Sequence, residues 1–101
     1  MKRRLIRRAG LQQRAELFKA LADPVRLQLL QCLLQESACV TDLVERCGAR
    51  QPRVSQHLAL LKDAGLARVR VEGKRRCYEL VSPALVRAAL GLGAPRPRRK
   101  S

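Results

Sequence analysis

Residues 50–66 read RQPRVSQHLALLKDAGL, a stretch in which apolar and polar residues separate onto two sides of a helix. Val54, Leu58 and Leu61 recur at helical spacing, which predicts one apolar, buried stripe. The other positions carry Arg, Gln, Ser and His, although Ser and His are weaker helix formers than Glu, Lys or Ala. A buried helix would avoid these polar side chains, and an ordinary surface helix would seldom select them. We therefore interpret the polar side as a surface that forms hydrogen bonds with a molecule outside the protein.

Breaks and caps on either side of this helix divide the chain into short elements. Asp23-Pro24 is typical of a helix start, and Gly48 is typical of a helix end. The period changes from helical to alternating after the fourth helix, and Gly73-Lys74 predicts a hairpin turn. The predicted elements are helices over residues 11–22, 24–35, about 40–47, 51–64 and 83–90, and a hairpin over residues 67–80, with Gly10 as a breaker before the first helix. This order predicts a mainly α fold with about five helices and a β-hairpin wing, the winged helix-turn-helix.

Basic residues are concentrated in one part of the predicted fold and near both ends of the chain. The chain has 101 residues and a net charge of +14, and only 2% of its residues are aromatic, so the predicted core is mostly Leu, Val and Ala. Residues 50–79 carry eight basic and three acidic residues, whereas residues 11–49 are about neutral. This asymmetry indicates a polyanionic partner, with an anionic membrane surface as the alternative. We expect a basic N-terminal arm over residues 1–10, a winged-helix DNA-binding domain over residues 11–90 and a basic, disordered tail over residues 91–101.

The sequence contains no pattern typical of secretion, membrane insertion or catalysis. The basic start MKRRLIRR is not followed by an apolar stretch, and no apolar run approaches the ~20 residues that cross a bilayer. The chain has one histidine, no glycine-rich phosphate loop and no paired carboxylates, which argues against an enzyme. We therefore expect a cytoplasmic protein without catalytic activity.

Four stretches of the chain come in a characteristic order and spacing. They are FKALADPVRLQLL (18–30), CVTDLVERCG (39–48), RQPRVSQHLALLKDAGL (50–66) and EGKRRCYEL (72–80). Together they resemble the ArsR/SmtB family of bacterial transcriptional repressors, and the resemblance covers residues 14–90. It implies a winged-helix homodimer that binds a palindromic, double-stranded DNA operator and is released by a metal, metalloid or redox signal.

The residue types on the fourth helix and the hairpin favour DNA binding independently of this resemblance. Arg can form paired hydrogen bonds with guanine and Gln with adenine in the major groove, whereas cations near the helix ends and on the hairpin suit phosphates. The predicted DNA-binding residues are Arg50, Gln51, Arg53, Ser55, Gln56, His57, Lys62, Lys74, Arg75 and Arg76. The homodimer that the resemblance implies would use the first and last helices, with Leu11, Ala15, Phe18, Leu85, Ala89 and Leu92 as the apolar interface.

The cysteines at positions 32, 39, 47 and 77 form no CxxC pair, which argues against a structural zinc site. A disulfide framework is not expected either, because nothing in the sequence indicates secretion. The family's arsenic and cadmium sensors carry Cys-Val-Cys-Asp-Leu where this chain has Cys39-Val40-Thr41-Asp42-Leu43, so only the first thiol is kept. Cys39 is interpreted either as a helix cap or as a sensing thiol of an incomplete site for a soft metal or metalloid inducer. Cys32, Cys47 and Cys77 are expected to pack against other side chains.

Two functions are compatible with these patterns. The leading hypothesis is a sequence-specific DNA-binding transcriptional regulator, most simply a repressor. The alternative is a basic protein that packages nucleic acid or associates with RNA, which the charge of the terminal segments favours. A regulator should prefer one duplex over random DNA by ~10³ or more, and a packaging protein should not.

Overall fold

A computed structural model describes residues 8–92, apart from the side chain of Ala9. Its elements are α1 (Arg8–Leu21), α2 (Pro24–Gln35), β1 (Ala38–Cys39), α3 (Val40–Cys47), α4 (Gln51–Asp63), β2 (Ala67–Glu72), β3 (Arg75–Leu80) and α5 (Pro83–Gly91). The helices and the antiparallel hairpin confirm the predicted mainly α fold with a wing. No helix within the described residues is long and apolar enough to cross a membrane. The predicted basic arm (1–10) and disordered tail (91–101) lie largely outside the described residues and stay predictions.

The hydrophobic core is centred on one side of α4. Val54, Leu58 and Leu61 are fully buried, as the helical spacing predicted. The other largest fully buried side chains are Leu29 and Leu30 of α2, Leu43 of α3 and Val86 of α5. Because α4 packs one side against this core, its remaining sides are left to meet solvent or another molecule.

Helix α1 begins three residues earlier than the sequence predicted, and Gly10 lies inside it. A glycine within a helix costs only roughly 1 kcal/mol relative to alanine. The backbone of Gly10 is not left-handed, in contrast to Gly48 and Gly73. Farther along α1, Ala20 is buried and Leu17 packs against the core, which anchors the helix. The prediction of Gly10 as a breaker is therefore wrong, because a single glycine is a weak stop signal when later residues hold the helix in place.

Asp23 caps α2, as the Asp23-Pro24 pair predicted. Its Oδ1 accepts hydrogen bonds from the backbone N–H groups of Val25 at 2.8 Å and of Arg26 at 3.1 Å. The hydrogen bond from Arg26 is the main cause of a lowered pKa for Asp23; partial burial raises the pKa, and the bond from Val25 lowers it further. The folded protein therefore favours the ionised form of this cap.

Replacing Asp23 by alanine should lower the free energy of unfolding by about 1 kcal/mol, within the roughly 0.5–2 kcal/mol typical of a lost cap. Because the folded pKa lies below the unfolded value of about 3.9, the stabilisation from the charge is present above that pH and is lost as the pH falls through the folded pKa. Urea denaturation at neutral and acidic pH measures both effects. Asp23→Asn is the matched control, because its side chain keeps a hydrogen-bond acceptor and should retain most of the stability at pH 7. Since asparagine does not ionise, this variant should not show the loss of stability at acidic pH that comes from Asp23. Equal stability of Asp23→Ala and wild type would contradict the prediction.

The wing is the antiparallel hairpin of β2 and β3, which turns at Gly73 as predicted. The φ of Gly73 is 62°, a left-handed conformation that glycine adopts without strain. Strand β3 also pairs with β1, which the sequence did not predict. β1 contains only Ala38 and Cys39, and two residues are too few to show an alternating pattern. The sheet order β1-β3-β2 thus connects the wing to the start of α3.

Strand β1 also brings two cysteines together. Cys39 lies opposite Cys77 in the β1–β3 register, and their sulfur atoms form a disulfide bond. The expectation of no disulfide is therefore wrong, and so is the interpretation of Cys77 as a residue that only packs. The bond was not predictable because it depends on β1 and joins residues 38 positions apart. Cys32 and Cys47 are free thiols that pack, half-buried, against the core, as predicted.

Candidate nucleic-acid interface

A tight turn joins α3 to α4. Gly48 ends α3 with φ 66°, and its N–H donates to the carbonyl of Val44 at 2.9 Å. Arg50 has extended backbone and precedes α4, where Pro52 lies in the first turn and its missing N–H costs no helical hydrogen bond. The predicted helix-turn-helix is present, with residues 48–50 as the turn.

The polar residues of α4 occupy its outward side and both of its flanks. Gln51, Arg53 and Gln56 are exposed, whereas Ser55 and His57 are half-buried. Successive residues rotate by about 100° around a helix, so Arg53 and Ser55 point to nearly opposite flanks. Gln51 and Ser55 border the wing, and His57 borders α2. The expectation that all five share the outward side is therefore too simple, because the half-buried pair lies where α4 meets its neighbours.

Arg26 holds His57 at the edge of this surface. Nε of Arg26 donates to the carbonyl of Ala20 at 2.6 Å, and Nη2 donates to that of Lys19 at 3.1 Å. Nη1 of Arg26 lies 3.2 Å from Nδ1 of His57. Since arginine can only donate, Nδ1 of His57 is the acceptor in this contact. Sequence reasoning missed Arg26, for which the only signal was one basic residue among the apolar and Gln residues of α2.

A cleft of about 210 Å³, which we call the wing cleft, separates α4 from the turn of the hairpin. It is lined by Gln51 and Ser55 of α4, Cys39 of β1, Val40 and Thr41 of α3, and Lys74, Arg75 and Arg76 of the wing. Residues predicted to read bases and residues predicted to bind phosphates thus border one concave surface. The sequence did not identify the exposed Thr41 as a residue of this cleft, because that position was compared with the thiol found in the family's metal sensors.

Ion pairs neutralise part of the charge of the wing. The pairs are Arg68–Glu79 at 3.2 Å, Arg70–Glu72 at 2.9 Å and Arg75–Asp42 at 3.5 Å. Within residues 8–92, neither Lys74 nor Arg76 lies within ion-pair distance of a carboxylate. Exposed ion pairs contribute little to stability, so Arg75 can exchange Asp42 for a phosphate at small cost. The turn of the hairpin can therefore offer three cations to a polyanion.

Cys39, the candidate sensing residue, has two structural roles. It occupies the N-cap position of α3, where its backbone N–H donates to Oδ2 of Asp42 at 3.2 Å. Its sulfur is bonded to Cys77. In the part of the chain that the structure describes, no group of three or more His, Cys, Asp or Glu side chains could hold a metal ion.

An apolar surface lies on α1 and α5. The residues predicted for a homodimer interface are Leu11, Ala15, Phe18, Leu85, Ala89 and Leu92, and all except Ala89 are exposed in this single chain. Phe18 is 59% exposed and Leu92 is 73% exposed. Leu11, Ala15 and Phe18 are four and three positions apart, so they share one face of α1.

Comparison with known proteins agrees with this architecture. The family described as "Bacterial regulatory protein, arsR family" matches residues 23–69, from the cap of α2 into the first strand of the wing. The "Probable mercury resistance operon repressor" of Streptomyces lividans is 45% identical over 69 residues, which are 68% of this chain and 55% of that protein. The helix-turn-helix transcriptional regulator MJ1325 of Methanocaldococcus jannaschii is 41% identical over 68 residues, which are 66% of this chain and 76% of that protein. The chain therefore spans about half the length of the first relative and three quarters of the second.

A solved structure shares the same arrangement of helices and wing. It is the homodimeric winged helix-turn-helix DNA-binding domain of Mb0332 from Mycobacterium bovis, a possible ArsR-family transcriptional regulator. The two chains agree with a TM-score of 0.77 at 33% identity, over 89% of this chain and 84% of that chain. Sequence and fold lead to the same assignment, and the chain belongs to the arsR family of bacterial regulatory proteins.

Proposed function

We propose that this chain is a sequence-specific DNA-binding transcriptional regulator that acts as a repressor by inserting α4 into the major groove of an operator. The observation that carries the proposal is the wing cleft, where α4 and three wing cations border one concave surface. The major groove of B-DNA is wide enough for an α-helix, and phosphates line both of its edges. A helix with flanking cations is complementary to such a groove in shape and in charge.

The exposed residues of α4 divide into two proposed roles. Arg53 and Gln56 are the candidates for base recognition, because their side chains can form paired hydrogen bonds with guanine and adenine. Arg50 and Lys62, near the two ends of the helix, suit phosphates, which position the protein without reading sequence. Gln51, Ser55 and His57 would add single hydrogen bonds from the flanks, and Lys74, Arg75 and Arg76 would contact the DNA backbone or the minor groove.

A homodimer is the proposed binding unit. The apolar surface on α1 and α5 needs a cover, and the similar Mb0332 domain is homodimeric. A two-fold dimer presents two α4 helices to successive major grooves, with half-sites about 34 Å apart. The operator should therefore be palindromic.

We further propose that a metal, metalloid or thiol-reactive signal releases the repressor in the cytoplasm. The support is the similarity to a protein named as a mercury resistance operon repressor and the cysteine at the border of the wing cleft. Cys39 is the candidate sensing thiol, and its sulfur can bind a soft metal or metalloid only after the bond to Cys77 is reduced.

The test begins by selecting the preferred duplex from a random library with the full chain. Replacing Arg53 and Gln56 together by alanine should lower the preference for this duplex over random DNA by at least about 2 kcal/mol, roughly 30-fold, because each paired contact is worth about 1–3 kcal/mol. Fluorescence anisotropy with both DNAs at a fixed salt concentration measures the preference.

The matched control removes the same two residue types elsewhere. Gln28 of α2 and Arg87 of α5 are exposed and lie on helices other than α4, so their double alanine variant should keep the preference. Replacing Lys74 and Arg76 by alanine should instead weaken binding to both DNAs. The slope of log affinity against log salt concentration should become less steep by about one for each lost phosphate contact. If the Arg53/Gln56 variant kept the full preference, α4 would not be the reading element. If no duplex were preferred, the alternative of a nucleic-acid-packaging protein would replace the proposal.

A further inference from the structure

The disulfide between Cys39 and Cys77 joins the start of the helix-turn-helix to the wing, at the border of the wing cleft. Cys39 is the N-cap of α3, the first helix of the helix-turn-helix, and Cys77 lies in the middle of β3, the second strand of the wing. The bond closes a loop that contains all of α4 and β2. A change at this bond therefore acts on the position of the start of α3 relative to the wing, and it reaches α4 through the packing of α4 against α3.

Few other links hold the wing tip to the start of α3. The pairing of β1 with β3 consists of two residue pairs, Ala38 with Tyr78 and Cys39 with Cys77. The ion pair between Arg75 and Asp42, at 3.5 Å, is partly exposed and contributes little. Closer to the core, Ala38, Tyr78 and Leu80 are buried, so the base of the wing stays packed when the bond is absent. The disulfide is thus a covalent link between the wing and the start of α3, and the strand pairing and the ion pair beside it are weaker links.

We propose that Cys39 and Cys77 form a reversible thiol–disulfide site that sets the DNA affinity of the chain, with the bonded form as the tight-binding state. The proposal rests on the proposed DNA-binding function and names the residues that regulate it. The bond fixes the start of α3, and with it the helix-turn-helix, against the wing, and preorganised surfaces lose less conformational freedom on binding. Reduction frees the wing tip to move. DNA binding must then immobilise the wing tip before the same contacts form, and this loss of conformational freedom lowers the affinity.

The chemistry is a two-electron exchange. A dithiol reductant opens the protein disulfide: one reductant sulfur attacks Cys39 or Cys77, and its second sulfur completes a disulfide in the reductant while the protein gains two thiols. A hydroperoxide closes it again: the first cysteine takes an oxygen from the peroxide and releases the alcohol or water, and the second displaces that oxygen as water. Atoms and electrons balance in both directions.

The wing cleft gives small reagents a route to this site. Cys39, which is 8% exposed, lines the cleft beside Lys74, Arg75 and Arg76. Cys32 and Cys47 differ in their surroundings. Burial, followed by the neighbouring Cys32, raises the pKa of Cys47 to about 11, so this thiol stays protonated at neutral pH. Cys32 and Cys47 are free cysteines outside the wing cleft, so this pair serves as the matched control.

The experiment measures DNA affinity of the full chain in both oxidation states. The probe is the duplex selected from the random library, and buffers of reduced and oxidised dithiothreitol set the state of the bond. We expect reduction to weaken binding about tenfold, within the roughly 5- to 150-fold range typical of coupling between two sites. The Cys32→Ser/Cys47→Ser variant should show the same change. The Cys39→Ser/Cys77→Ser variant should bind weakly in both buffers.

Thermodynamic reciprocity provides a second measurement that needs no variant. If reduction weakens DNA binding by a given factor, bound DNA must raise the ratio of disulfide to dithiol by the same factor at a fixed buffer potential. Trapping thiols with and without excess duplex measures this ratio in the wild-type chain. It remains informative if Cys39→Ser/Cys77→Ser does not fold, and circular dichroism shows whether the reduced wild type is folded.

The outcomes separate this inference from the function on which it rests. A selected duplex that binds equally well to both oxidation states, with no effect of DNA on the disulfide ratio, would overturn the switch and leave the regulator intact. If the response to reduction were lost in Cys32→Ser/Cys47→Ser and kept in Cys39→Ser/Cys77→Ser, the switch would belong to Cys32 and Cys47, and the inference would be overturned. Failure to select any duplex in either state would instead overturn the proposed function.

Discussion

Leu58→Ala should lower the free energy of unfolding by about 2–5 kcal/mol, the usual cost of emptying a buried leucine site. Leu58 lies in the middle of the inward stripe of α4, is fully buried, and belongs to the core cluster shared with α2 and α3. The variant loses the burial of the isopropyl group of leucine and leaves a cavity that the packed helices fill only in part. Since small domains are stable by only about 5–15 kcal/mol, this single change should remove a large part of the total. Urea denaturation at a fixed chain concentration measures the loss.

Leu60→Ala is the matched control on the same helix. Leu60 is 49% exposed and is two residues from Leu58, so the identical substitution removes much less buried surface than Leu58→Ala. We expect a change within about 0.5 kcal/mol, as for most surface substitutions. Similar losses in both variants would mean that α4 does not pack as the structure shows, and the orientation of its polar side would then be wrong as well.

Reducing the Cys39–Cys77 bond should lower the free energy of unfolding by about 4 kcal/mol. The two cysteines are 38 residues apart, and the loop-closure entropy of the unfolded chain corresponds to roughly 3 kcal/mol for a 15-residue loop and 4.7 kcal/mol for a 100-residue loop. Urea denaturation of the full chain with and without a phosphine reductant measures the difference.

Variants of each cysteine pair show whether the Cys39–Cys77 bond is responsible for the loss of stability on reduction. Cys39→Ala/Cys77→Ala should be as unstable without reductant as the reduced wild type, and reductant should not change its stability further. Cys32→Ser/Cys47→Ser keeps the bond and should show the full effect of the reductant. A wild-type chain whose stability is the same in both buffers would contradict a bond that constrains the unfolded state.

The elements of this fold are encoded locally, and most of them could be predicted. The bounds of α2 agree with the prediction because Asp23 and Pro24 mark its start within the sequence itself. The inward stripe of α4 follows from the spacing of Val54, Leu58 and Leu61. The start of α1 was predicted wrongly because the prediction relied on Gly10, which is a local signal. Contacts that later residues of α1 make with the core outweigh that signal.

The candidate site could be predicted as a set of residues but not as a surface. The exposed Gln51, Arg53 and Gln56 were identifiable because they are polar positions on a helix with a known buried stripe. The half-buried Ser55 and His57 were not distinguishable from them, because their burial comes from neighbouring elements rather than from α4. The same holds for Thr41, which joins the wing cleft only because α3 packs beside the hairpin turn.

Most helix bounds, the cap of α2 and the hairpin depend on residues within a few positions of one another, so they could be predicted from the chain. Which distant residues meet depends instead on how these elements pack. Arg26 reaches His57 across 31 positions, and Cys39 reaches Cys77 across 38. Such contacts depend on how finished elements pack, and a two-residue strand such as β1 forms only when β3 is already beside it. The local period of a sequence contains no information on that neighbour, so the bond between the start of α3 and the wing became visible only in the folded chain.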